Sequence, residues 1–212
     1  MRQIHHSIAA IALAVVGLAG CAHDSRAVEK ANPVHVADTK AAMRDLWTGH
    51  IFWIRNVVWD NAAHNAAARD AAEQEVVVNA KNIANTITPF YGEQASEKLF
   101  SLLAGHYGAV KEYSEATVSE NRLQQDAALT HLASNADEIA VFLSGANPHL
   151  PKDTVRGLIA AHGAHHVLQI TQLKEKDYVH EGETWKVMKR HVYVIADALT
   201  MALATQFPSK FS

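Results

Sequence analysis

Histidine is the residue type with which this chain is best equipped to do chemistry. There are 14 of them among 212 residues, beside a single cysteine. Neutral imidazole is a ligand for transition metals and titrates near neutral pH, so the spacing of these residues decides what they can do. His162 and His166 stand four apart, which on a helix puts both rings on one face. His50, His106 and His191 each interrupt an apolar run of helical period: Met43, Leu46, His50, Trp53, Val57; then Leu99, Leu103, His106, Val110, Tyr113; then Trp185, Met188, His191 (or Val192), Ile195, Leu199. A fourth run reads Val155, Leu158, His162, His166 (or His165), Gln169, Leu173, and two more carry Asn79 and Asn135 at the corresponding place. Four helices thus bring histidine, and two bring asparagine, to one level.

Two accounts of that level are open. In the first, His162 and His166 bind a metal with His50, His106 or His191 completing the polyhedron from neighbouring helices, as metal sites in bundle cores are built. Such a donor set suits zinc, copper or nickel, and the thioether of Met188, three residues before His191, would favour copper. In the second, the histidines hydrogen-bond one another, Asn79, Asn135 and backbone carbonyls, and serve only to fix helix register.

Other chemistry is poorly supported. One cysteine excludes an internal disulfide framework and every multi-thiolate metal site. Glu-x-x-His pairs and His-Glu-x-x-His are missing, which sets aside di-iron carboxylate and zincin enzymes. Asp60, Asp70, Glu138 and Asp197 have no spacing that suggests acid–base work, and no residue is assigned a catalytic role. Trp47, Phe52, Trp53 and Trp59 surround Arg55, either as an anion clamp or, the preferred reading, as core with a snorkelling cation. His23, His35, His149 and His180 fall in tether or loops, where a solvated histidine needs no explanation. A net charge of −3 without a basic run argues against nucleic-acid binding.

The elements that must position these residues are helical throughout. With 49% hydrophobic residues, periodicity of three and four, and breakers at regular distances, the expected fold is an all-α antiparallel bundle. Its six helices are predicted at 38–61, 66–88, 93–117, 119–144, 152–173 and 183–206, with KEKDYVHEGE as a polar linker before the last. A shift of 56 positions lays residues 79–106 over 135–162 without a gap and with seven identities in 28 positions, among them Asn79 on Asn135 and His106 on His162. The second to fifth helices therefore read as a duplicated hairpin.

Ahead of the bundle, residues 1–20 combine Arg2 with an apolar run from Ile8 to Ala19 and end on Leu-Ala-Gly before Cys21. This resembles the signal peptide and lipobox of bacterial lipoproteins, which implies a diacylglycerol on Cys21, a membrane partner through that lipid and an outer-membrane, periplasm-facing location. Residues 21–37 read as the lipidated N-terminus and a flexible tether, and 38–212 as the bundle.

The segments LWTGHIFWIR (46–55), NAKNIANTITPFYG (79–92), LLAGH (102–106), NADEIAVFLSGANPHLP (135–151) and HVYVIADAL (191–199) are similar to a family of bacterial helical-bundle proteins without an established activity. The resemblance implies the bundle fold and importance for His50, Asn79, His106, Asn135 and His191. The expectation is an envelope lipoprotein that binds copper or zinc for sequestration or transfer; the alternative is a non-enzymatic scaffold or sensor with a structural polar layer. An enzyme with a histidine-based site would need a substrate that the sequence does not suggest.

Overall fold

The computed structural model describes residues 30–212, so the expected signal peptide, Cys21 and most of the expected tether lie outside it. The described chain is all-α, in seven helices: α1 (Pro33–Ala62), α2 (Ala66–Asn85), the single turn α3 (Thr88–Tyr91), α4 (Glu93–Val118), α5 (Arg122–Ala146), α6 (Lys152–Lys174) and α7 (Tyr178–Gln206). A final 3₁₀ turn covers Pro208–Phe211.

Several boundaries differ from expectation, each for a local reason. The helix expected at 38 begins at Pro33, inside the segment read as tether. Asn32 Oδ1 accepts from Val34 N–H at 3.0 Å, and proline at the first helical position gives up an N–H that has no helical partner there anyway. The last helix begins at Tyr178, five residues inside the expected linker, because Asp177 caps it by accepting from His180 N–H. His35 and His180 are consequently helical rather than in tether or loop. Leu129 on α5 is 40% exposed; on α1, Trp47, Ile51 and Ile54 are buried together with Met43, His50 and Val57, whereas Leu46 and Trp53 of the expected stripe are half-buried.

Six long helices close into a ring in the order α1, α2, α4, α5, α6, α7 and back to α1, and α1, α4 and α6 also touch one another across the middle. These three are the inner helices; α2, α5 and α7 flank them. The duplication seen in the sequence is in fact threefold, and its unit is one helix out of step with the expected hairpins, which joined the second long helix to the third and the fourth to the fifth. The hairpins α1–α2, α4–α5 and α6–α7 turn at His64, Glu120 and Lys176, spaced by 56 residues and all left-handed, with φ of 56°, 58° and 60°. Each turn is followed by a capping residue, Asn65, Asn121 or Asp177, whose side chain accepts from the backbone of the next helix. A non-glycine residue in this conformation costs roughly 1–2 kcal/mol, and its recurrence at the same place in every hairpin marks one structural unit used three times.

Side chains repeat with the same period. Asn79 Nδ2 donates to the Leu46 carbonyl at 3.0 Å and Asn135 Nδ2 to the Leu102 carbonyl at 2.9 Å. In the third hairpin His191 Nε2 lies 2.8 Å from the Leu158 carbonyl. Each bond spans 33 residues and ties an outer helix to its inner partner. The apolar core forms two main clusters, one around Met43, Ile83, Leu99, Ile139 and Ile195, the other around Ile54, Val76, Val110, Leu132 and Ile170.

Candidate metal centre

Between these clusters lie the histidines. A step of 56 residues relates His50 to His106 and His106 to His162, so each inner helix contributes one ring to the central axis. His166 is a fourth, one helical turn beyond His162. The same step places Ile54 and Val110 at its positions in the first two hairpins, so only the third repeat carries a histidine there.

All four are completely enclosed: His50 is 1% exposed, His106 2%, His162 and His166 0%. One nitrogen from each can be chosen so that all lie within 4.8 Å of one another. The Nε2 atoms of His162 and His166 are 3.2 Å apart. Two nitrogens bound tetrahedrally at about 2.0–2.1 Å to one zinc ion lie about 3.3–3.4 Å apart, so this pair already has the separation of a chelating edge. The widest pair needs a contraction of about 1.5 Å to reach the same value.

The protonation state is the one a ligand needs. Burial pushes His50 down to about 3, with the neighbouring His106 adding to it, and pushes His106 down to about 4, the Asn135 carboxamide opposing in part. His162 and His166 are held well below the ordinary histidine range by burial and then by the surrounding rings. All four are neutral at pH 7 and have no proton to lose before ligating. Apart from the His162–His166 pair, their ring nitrogens make no hydrogen bond: both nitrogens of His50 and His106 and the Nδ1 atoms of His162 and His166 are buried and unpartnered. A buried polar atom without a partner costs about 1–3 kcal/mol. A single ion takes one nitrogen from each ring, so it would partner one nitrogen each of His50 and His106 and replace the contact between His162 and His166.

The other expected ligands stand apart. His191 is half-buried, its Nε2 taken up by the Leu158 carbonyl, and its ring stacks 6.5 Å from that of His162. His165 lies beyond it at 5.1 Å, so the two form a step from the central group towards the surface. Met188 is fully enclosed in the apolar cluster that also holds Trp47 and Ile83. Asn79 and Asn135 each donate to a backbone carbonyl of the neighbouring inner helix. Arg55 is bound through both nitrogens to Glu181 at 2.6 Å and lies over Trp59 and Trp185, so its charge is already matched. Asp197 is likewise held by Arg44 and Lys40, and Asp70 by Arg69. His149 lies in the turn between α5 and α6, and His23 lies outside the described residues.

The buried carboxylate of Glu181 was not singled out in the sequence. It is 1% exposed and also accepts from Gln169 Nε2 at 2.8 Å, so it braces α7 against α1 and α6. Its only sequence signal is an acidic residue followed at apolar spacing by Thr184 and Met188 inside what reads as a linker. The third copy of the repeat had a clearer one, since applying the same shift twice takes His50 to His106 to His162.

No family model, curated protein or solved structure matches this chain, and the likeness to a bacterial bundle family gains no support from those comparisons.

Proposed function

We propose that the bundle binds one transition-metal ion, zinc or copper, through His50, His106, His162 and His166. The observation that carries this reading is the set of four enclosed, neutral imidazoles whose nitrogens converge, with His50 without any partner and His162 and His166 paired only with each other. No carboxylate belongs to the group. An all-imidazole set disfavours magnesium and calcium, which take oxygen ligands, and suits zinc and copper. Four protein ligands leave no open coordination position on a tetrahedral ion, which favours storage or transfer over catalysis. A purely structural layer accounts for Asn79 and Asn135, which bond to carbonyls, and for the contact between His162 and His166, but it leaves both buried nitrogens of His50 without a partner.

The test is uptake. The purified chain is dialysed against zinc or copper and its metal content measured beside a variant carrying His106→Ala and His162→Ala. One equivalent per chain in the parent and none in the variant is the expected result. No stoichiometric uptake by the parent, or equal uptake by both, overturns the reading.

We further propose that this chemistry takes place at the bacterial envelope, with Cys21 carrying the lipid that holds the chain to the membrane. The support is the Leu-Ala-Gly-Cys segment following a short apolar run. No helix of the described residues is long and apolar enough to cross a membrane. Cys21→Ser is expected to move the protein from the membrane fraction to the soluble one; unchanged fractionation counts against the anchor.

A further inference from the structure

The core holds one feature that the histidine layer leaves unexplained, an apolar cavity of about 50 Å³ on the axis of the bundle. Equivalent residues of the three hairpins surround it in tiers: Met43, Leu99 and Val155 from the inner helices, Ile83, Ile139 and Ile195 from the outer ones. The tier of Trp47, Leu103 and Ile159 also lines it, three residues before His50, His106 and His162. At 1.5 Å per residue, the cavity therefore ends about one helical turn from the histidine layer. The Trp47 ring lies 5.6 Å from His50 and 6.1 Å from His162, edge-on to both.

The lining dictates what can occupy this space. Its few polar side chains are spent: Thr86 donates to the Ile83 carbonyl, the Tyr91 hydroxyl to Gln206, and Asn147 to Tyr91. Only the Trp47 indole N–H, on a residue 3% exposed, is buried without an acceptor. Water in a cavity needs about two to four polar partners, so this cavity disfavours it. The volume exceeds the ~10–15 Å³ of a single water site and is about a third of the ~150 Å³ that holds benzene. What fits is a molecule of two or three atoms, apolar or weakly accepting.

We propose that this axial cavity is a binding site for a small apolar molecule of the diatomic class, represented by dioxygen, placed one turn from the histidine cluster. The site does not depend on a bound ion, because none of the four clustered histidines lines it.

The metal-free full chain, labelled at isoleucine methyl groups, is examined by magnetic resonance under dioxygen pressure, whose unpaired electrons broaden nearby signals, and under xenon as a diamagnetic probe of the same space. Ile83, Ile139 and Ile195 are expected to broaden at least about threefold more than Ile54 and Ile170, which are as deeply buried in the other cluster. The xenon shifts are expected at the isoleucines that line the cavity, these three together with Ile87 and Ile159, and not at Ile54 or Ile170. Val155→Phe, which fills the space, is expected to bring the five signals compared for broadening to parity; Leu99→Phe serves the same purpose. Equal broadening of all five in the parent, or cavity signals unchanged in a folded filled variant, overturns the proposal. If neither larger side chain is accommodated, the comparison within the parent decides. Measurement without metal separates this outcome from the uptake test, since either result can fail while the other stands.

Discussion

An imidazole ring buried without its proton is a liability that grows with acidity. His50 is held at about 3 and His106 at about 4, with His162 and His166 also well below the ordinary range. In the unfolded chain these side chains titrate near 6.5. Between the two sets of values the unfolded chain takes up protons that the folded chain refuses, so stability falls as pH drops below about 6.5; above it these groups contribute no pH dependence. Each ring adds a slope of about 1.4 kcal/mol per pH unit within that window. Thermal melts of the metal-free chain are expected to show a plateau above neutrality and a steep fall below it, with His106→Leu reducing the slope by about one proton. A flat profile between about pH 4 and 7 would contradict the burial of neutral rings. His166 invites a second change at this scale, because Ile54 and Val110 are its counterparts. His166→Val is expected to fold as well as the parent without metal, yet to bind the ion more weakly than the roughly 10–100-fold loss that follows removal of an outer-shell partner. Equilibrium dialysis measures the affinity; an unchanged value removes His166 from the ligand set.

Helices meet in this bundle where glycine lets them. A Cβ on Gly49 would stand 2.9 Å from Asn79 Nδ2, and one on Gly105 3.2 Å from Asn135 Nδ2. The third hairpin has Ala161 at this position, opposite the longer reach of His191. Gly49→Ala is expected to dislodge Asn79 from the Leu46 carbonyl and to destabilise by about 1–3 kcal/mol. Gly108→Ala, on α4 where the added Cβ meets nothing within 4 Å, is expected to stabilise by about 0.5–1 kcal/mol. Urea unfolding curves of the two variants test the pair, and equal effects would show that the close approach is not what Gly49 serves. Helix type and number were legible in the sequence because apolar period is a property of short windows. Starts at Asn32 and Asp177 were harder to see: proline after a capping residue reads equally well as a breaker, and a charged segment hides the first turn of α7. The level of His50, His106 and His162 could be placed from period alone. That His166 joins them while His191 turns to a carbonyl could not, because neighbouring positions on one helix differ by a rotation that only the packing of α6 and α7 fixes.

At the scale of the whole molecule, three copies of one hairpin surround an axis, and each buries its inner helix against the other two. The order in which copies follow along the chain is then of little consequence to the core. Both ends of the described chain meet, with Asn32 N–H donating to the Phe211 carbonyl at 2.9 Å. A permuted chain that joins Ser212 to Lys30 through a short linker and opens at Gly92, between the first and second hairpins, is expected to fold and to take up metal as the parent does. Calorimetry and metal analysis check this; an unfolded or metal-free product would mean that the link between hairpins is itself a structural element. An even number of long antiparallel helices also gives the molecule a keel. Both ends of the described chain lie beside the half that contains the cavity, and the three left-handed tips at His64, Glu120 and Lys176 crown the opposite pole. An attachment at the pole of Asn32 and Phe211 would therefore leave the three tips, side by side, at the far end of the molecule.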